Sequence, residues 1–208
     1  KQDMQHTSID LNSDLGESFG AWNMGDDATM LSIVSSANIA CGGHASDPET
    51  MFKTVSLAKQ NHVIVGAHPG YPDILGFGRR VIPCSNSEIE YFCASQIGAL
   101  MGVAALSNVS VRYVKPHGAL ANVAADDKAV ASSIVRAISS IGRLAVLAIS
   151  GTELAHLARE KGLETYDEIF ADRGYTSRGR LVPRNKEGAM ITDSNVCLLY
   201  TSPSPRDQ

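Results

Sequence analysis

Short β-prone apolar runs recur along the chain at residues 8–12, 37–41, 63–67, 111–115, 144–149 and 168–171. Each is followed by a polar motif rich in His, Asp or Gly, then usually by an amphipathic stretch. Several runs are continuously apolar, the pattern of strands covered on both faces. Helix starts lie between them. Ser46 with Glu49, or Asp47 with Pro48, opens one helix, and Ser85 with Glu88 opens another that runs to about Leu106. Asp126 or Asp127 opens a third, with Val130, Ile134, Ala137, Ile138 and Ile141 at helical spacing before Gly142. Residues 152–160 supply a fourth.

Strands alternating with helices predict a parallel α/β architecture. A doubly wound sheet gathers its ligand motifs at one switch point. A barrel sets them at the C-terminal ends of many strands. Polar motifs follow at least five of the six runs, which favours an irregular, TIM-like β/α barrel. Six runs fall short of eight strands, so the barrel is expected to be incomplete at its C-terminal end. Residues 1–193 are expected to form one domain. Residues 194–208, where Ser, Pro and Arg alternate without periodicity, are expected to be a disordered tail foreign to it.

Composition narrows the function. The chain has 208 residues, 44% of them hydrophobic, and a net charge of -4 from 18 Lys and Arg against 22 Asp and Glu. That balance gives no footprint for nucleic acid or an anionic membrane surface. The longest unbroken apolar-and-glycine run, residues 97–106, is 10 long, against roughly 18 for a spanning helix. The first ten residues are polar, unlike a signal peptide. The four cysteines, Cys41, Cys84, Cys93 and Cys197, contain no CxxC pair. Reduced thiols and a cytoplasmic location are expected.

Five constellations can carry chemistry. In residues 8–20, Asp10, Asn12 and Asp14 alternate on one side of a strand, and Glu17 follows it. Such groups bind a hard cation, divide acid and base roles, or merely tie down a turn around Gly16. In residues 37–48, Asn38 interrupts an apolar strand and His44 follows two glycines. His68 leaves its strand into a Pro/Gly loop, followed by Arg79 and Arg80, whose forked donors suit a carboxylate or phosphate. Lys115 and His117 end another strand, where Lys can stabilise an oxyanion and His can move protons. Asp172 and Arg173 follow the sixth run, with Arg178, Arg180 and Arg184 beyond. His44, His68 and His117 follow three separate strands, and a barrel brings strand ends to one mouth. Asp14, His44, His68, Lys115, His117 and Asp172 are therefore expected around one cavity. Asn12, Glu17, Asn38, Arg79, Arg80 and Arg173 are the candidates for holding substrate.

The motifs DLNSDLGESFG, ANIACGGHASDP, GAHPGYPD, GFGRR, VKPHGAL and FADRGY, in this order from about Ile9 to Asp193, resemble the LamB/YcsF family of 5-oxoprolinase components. The resemblance implies a β/α barrel of the glycoside hydrolase/deacetylase type. It also implies ATP-dependent opening of 5-oxoproline to glutamate, with two partner subunits. The family usually has Cys at Ser13, Phe at Gly43, Gly at Ser46 and Tyr at Ala121. Its members continue for roughly fifty residues past the position of Asp193, enough for another strand and helix. No GxxxxGK phosphate loop is present, so ATP is expected to depend on the partners. Two other readings remain open. One is a metal-dependent deacetylase or amidohydrolase with a divalent ion on Asp14, His44 and His68. The other is a non-catalytic scaffold subunit.

Overall fold

The computed structural model describes residues 9–177, 179–182, 184 and 186–193. The expected tail, residues 194–208, and Arg178 lie outside the described residues.

The strands are β1 (Asn12–Leu15), β2 (Ser36–Ala40), β3 (Ile64–His68), β4 (Val111–Val114), β5 (Ala145–Ile149) and β6 (Thr165–Glu168). The helices are α1 (Asp27–Leu31), α2 (Pro48–Gln60), α3 (Asn86–Leu106), α4 (Gly118–Asp126), α5 (Lys128–Ile141) and α6 (Glu153–Glu160). All strands pair in parallel, in sequence order β1 to β6. Among the described residues the order never reverses, so they contain no doubly wound switch point. The sheet curls as a half-barrel. Strands three apart in a flat sheet would be about 14 Å from each other. Yet Lys115, just past β4, reaches Asp14 of β1 at 3.1 Å and Glu168 of β6 at 2.7 Å. Among the described residues β1 and β6 do not pair, and they form the two edges of the sheet.

The pleat divides the strand residues between two environments. Ala37, Ile39, Val65, Ala67, Val114, Val146 and Ala148 belong to the main core, with the buried residues of the helices. On the concave face, Asp14, Asn38, Gly66, Tyr113 and Ala145 lie in register on neighbouring strands. Tyr113, Ala145 and Leu147 form a separate small cluster. Gly66 is required there, because a Cβ would come within 2.3 Å of the Tyr113 ring.

The local signals in the sequence explain the helix starts. Asp47 accepts from the amides of Glu49 and Thr50, with Pro48 in the first turn. Ser85 and Glu88 make a reciprocal capping box. Asp127 caps α5, and Thr152 caps α6. The helix α3 has the length and apolarity to cross a bilayer. Here Ile89, Cys93, Ile97, Leu100 and Ala104 are in the core, and the helix packs on α5 and α2.

Two strands differ from expectation. The first is Asn12–Leu15 rather than 8–12, and the sixth is Thr165–Glu168 rather than 168–171. Both are edge strands, so neither needs an apolar run on both faces. Ile9 and Leu11, which suggest the earlier start, are 84% and 52% exposed. The helices α1 and α4 carry little signal in the sequence. The first has five residues, too few for a period, and α4 has no side-chain cap at His117.

Ser46 is buried with φ 76, in the left-handed region, and its hydroxyl finds no partner among the described residues. A side chain is disfavoured at that φ, and an unpaired buried hydroxyl adds a desolvation cost. Ser46→Gly should therefore raise unfolding stability by about 1–2 kcal/mol, read as a higher urea midpoint at constant slope. An unchanged or lower midpoint would show that the left-handed turn is not strained.

Candidate active site

The C-terminal ends of the strands converge on a cavity of about 550 Å³. Its walls include Asp14 from β1, His68 from β3, Lys115 and His117 after β4, Glu168 from β6, and Arg79. Beyond β1, Gly16 turns the chain at φ 67 and brings Glu17 back over the strand ends. Beyond β2, the 42–46 turn carries His44 into the interior, where it is fully buried.

The three imidazoles pack against one another. His44 stacks on His117 with centroids 3.6 Å apart and planes 4° apart, and His68 stands edge-on to both. Their hydrogen bonds fix the ring nitrogens. The carbonyl oxygens of Lys115 and Phe77 can only accept. His68 Nδ1 therefore donates to Lys115 O at 2.6 Å, and His117 Nε2 donates to Phe77 O at 2.8 Å. The inner nitrogens, His68 Nε2 and His117 Nδ1, face each other at 3.0 Å. His68 Nε2 also lies 3.3 Å from Asp14 Oδ2. His44 Nε2 donates to Glu17 Oε1 at 3.0 Å.

Below the mouth runs a buried polar chain. The Tyr113 hydroxyl donates to Asn38 Oδ1 at 2.6 Å, and Asn38 Nδ2 donates to Asn12 Oδ1 and Asp14 Oδ1 at 2.6 and 2.9 Å. A lone Asn in an apolar strand is thus satisfied by holding Asp14 in place.

The electrostatics separate the groups. Burial pushes the Asp14 carboxyl up. The charges of His68 and Lys115, with hydrogen bonds from His68 and Asn38, outweigh it and hold Asp14 well below the usual carboxylate range. Burial raises Glu17. Burial disfavours the charged forms of His68 and Lys115, but carboxylates raise both: Asp14 and Glu17 at His68, Asp14 and Glu168 at Lys115. Burial, then the charge of His68, lowers His117 to about 3 and His44 to about 2. One imidazole is thus poised to carry charge beside two that stay neutral, the division of labour that proton transfer requires.

The structure gathers Asp14, Glu17, His44, His68, Lys115 and His117 into one cluster, with Asn12 and Asn38 beneath it. It does not bring in every expected residue. Asp172 is exposed and is not on the cavity wall. Because β6 ends at Glu168, that residue is the acid at the strand end. Arg80 turns outward to pair with Asp73, and its side chain is 62% exposed. Arg173 lines the cavity, but its guanidinium is taken by the carbonyls of Ala189 and Val182. Arg180 is bound to Asp126 and to two backbone carbonyls. Arg79 stacks over Phe77 at 5.2 Å, and its charge acts on Glu17, but it makes no hydrogen bond or ion pair among the described residues. Sequence reasoning misses Glu168, and it misses Phe170, whose ring lies 5.1 Å from the Lys115 ammonium.

A cation could be held here. Glu17, His44, His68 and His117 offer ligand atoms all within 4.8 Å of one another. The expected trio of Asp14, His44 and His68 overlaps this group only in part.

Comparison with known proteins identifies the family and the fold. Residues 9–200 match the LamB/YcsF family model. A protein of Photorhabdus laumondii, named as the A subunit of 5-oxoprolinase, is 50% identical over 189 residues, which is 90% of this chain and 75% of that protein. The like-named protein of Rhodopseudomonas palustris is 52% identical over 189 residues, 90% of this chain and 74% of the relative. The crystal structure of a lactam utilization protein from Thermus thermophilus superposes with a TM-score of 0.88 at 40% identity, covering 92% of this chain and 78% of that one.

Proposed function

The chain belongs to the LamB/YcsF family, and on that premise we propose that it is the ring-opening component of an ATP-dependent 5-oxoprolinase. A role in 5-oxoproline metabolism agrees with the names of its relatives. The observation that carries the reading is the asymmetry of the cavity, with the Arg79 guanidinium making no hydrogen bond or ion pair among the described residues and an acid–imidazole–ammonium cluster on the wall.

The substrate is a five-membered lactam with a carboxylate. The amide is unstrained, so water alone opens it slowly. Transfer of a phosphoryl group from ATP to the lactam oxygen makes the ring carbon electrophilic. Water then adds to that carbon, the C–N bond breaks, and the nitrogen leaves as the amino group of glutamate. A second water releases the phosphate. Arg79 is positioned to hold the substrate carboxylate through a forked pair of hydrogen bonds. The Lys115 ammonium offsets negative charge on the reacting oxygen. His117 is neutral and adjoins His68, which itself pairs with Asp14, and this relay suits His117 to take the proton of water.

ATP binding and phosphoryl transfer are assigned to two partner subunits, since the sequence has no GxxxxGK loop. The chain alone should neither release glutamate from 5-oxo-L-proline nor bind ATP tightly. Adding the partners with ATP should start turnover. Robust ATP-dependent glutamate formation by the purified chain alone would contradict this division of roles.

A further inference from the structure

We infer that Asp73 and Arg80 are positioning residues for the His117 imidazole, acting through the 73–80 loop and the main-chain carbonyl of Phe77. Their part in turnover rests on the proposed ring opening, whereas the positioning itself does not. The two adjacent arginines of GFGRR then have separate tasks: Arg79 lines the cavity, and Arg80 secures the loop that backs the imidazoles.

The first ground is how the loop meets the rings. Phe77 O accepts from His117 Nε2 at 2.8 Å, which leaves Nδ1 with its lone pair toward His68 Nε2 at 3.0 Å. The Phe77 ring stands edge-on to His117 and to His44, each centroid 5.3 Å away. The next residue, Gly78, accepts at its carbonyl from Ala119 N at 3.0 Å, in the first turn of the helix that follows His117. A Cβ on Gly78 would come within 2.6 Å of His44 Cβ and 2.9 Å of His117 Cδ2. The loop thus lies directly against two of the three imidazoles.

The second ground is the backbone of Phe77. Its φ is 54, in the left-handed region that a bulky side chain disfavours. Such a conformation persists only where the surroundings over-determine it. Asp73 supplies most of that determination. Its carbonyl accepts from Gly78 N at 2.9 Å, and its Oδ1 accepts from Gly76 N at 3.0 Å. The same carboxylate takes the Arg80 guanidinium as a fork, from Nε at 2.9 Å and from the terminal amino group. A Cβ on Gly76 would collide with both the Asp73 carboxylate and Arg80 Nε. The Asp73 amide in turn donates to Gly43 O at 3.0 Å, beside His44. Asp73 therefore joins the strained loop to the turn that carries a second imidazole.

Exposure makes the idea testable. The Asp73 side chain is buried, whereas that of Arg80 is 62% exposed. Arg80 can be replaced without opening the core, so its hold on the loop is separable from folding.

The test reads imidazole ring protons in the full chain labelled with ¹⁵N-histidine. In the wild type, His117 should be protonated on Nε2, and that proton should exchange slowly with water. Arg80→Gln removes the charge, and Asp73→Asn does the same while keeping side-chain volume. Each should speed exchange at His117 Nε2 by at least about tenfold. The Nδ1 proton of His68, bonded to Lys115 O at 2.6 Å outside the loop, should keep its wild-type rate. Arg80→Lys, which retains the charge, should restore most of the protection. A general loss of stability would instead speed both ring protons alike, and circular dichroism identifies any variant that fails to fold. In the complex with partner subunits, Arg80→Gln should lower kcat by about tenfold to a hundredfold. Unchanged exchange at His117 in both variants, or equal acceleration at His117 and His68, would overturn the inference whatever the turnover. Faster exchange at His117 alone, with wild-type turnover, would uphold the positioning and contradict the role of His117 in ring opening.

Discussion

Lys115→Met should lower unfolding stability by about 3–5 kcal/mol, the usual cost of stripping one partner from a buried ion pair. Lys115 is 7% exposed and lies between Glu168 at 2.7 Å and Asp14 at 3.1 Å. Glu168 is itself 5% exposed, so losing the ammonium leaves a carboxylate buried without its counter-charge. The same ammonium ties β4 to both edge strands, so its loss also loosens the curl that forms the mouth. Lys115→Met with Glu168→Gln should recover a large part of the stability, because the uncompensated charge is gone. Urea unfolding of the single and double variants measures this. Equal destabilisation in both would mean that packing of the lysine stem, rather than its charge, holds the sheet closed.

His117→Asn should reduce ring opening by about 10²–10⁴-fold, the range typical for loss of a positioned acid or base. His117 is 5% exposed and donates to Phe77 O, so its imidazole belongs to the inner wall. Assembly with partner subunits should therefore be unchanged in a pull-down or sedimentation experiment. A variant that assembles normally and still turns over at the wild-type rate would remove His117 from the chemistry. One that fails to assemble would place it in the interface.

The strands between the edges are legible in the sequence because they are covered twice, by helices outside and by the concave interior inside. Ala37, Ile39, Val65, Ala67, Val146 and Ala148 therefore form apolar runs with few interruptions. The edges lack that double cover, and there the apolar residues mislead: Ile9 and Leu11 precede β1 and are largely exposed. The apolar pattern places the sixth strand three residues late for the same reason. That shift makes Asp172 look like the strand-end acid, when Glu168 fills that place. His44, His68 and His117 are legible from their position after strands, because parallel strands of one curled sheet end on the same side. Side-chain direction within a loop is not legible. Arg79 and Arg80 are adjacent, yet one lines the cavity while the other pairs with Asp73, a local contact that depends on the turn around Gly76. The pairing of Glu17 with His44 likewise depends on the left-handed turn at Gly16.

The central claim is that ring opening occurs in this cavity rather than on a partner that the chain merely supports. The direct test is ATP-dependent glutamate release from 5-oxo-L-proline by the partner subunits, supplied with either the wild-type chain or the Asp14→Asn chain. Asp14 touches His68, Lys115 and Asn38, and asparagine keeps its size while removing its charge. The account predicts turnover with the wild-type chain and at least about a hundredfold less with Asp14→Asn, although both chains join the complex. Equal turnover from the two complexes would contradict it and make the chain a scaffold.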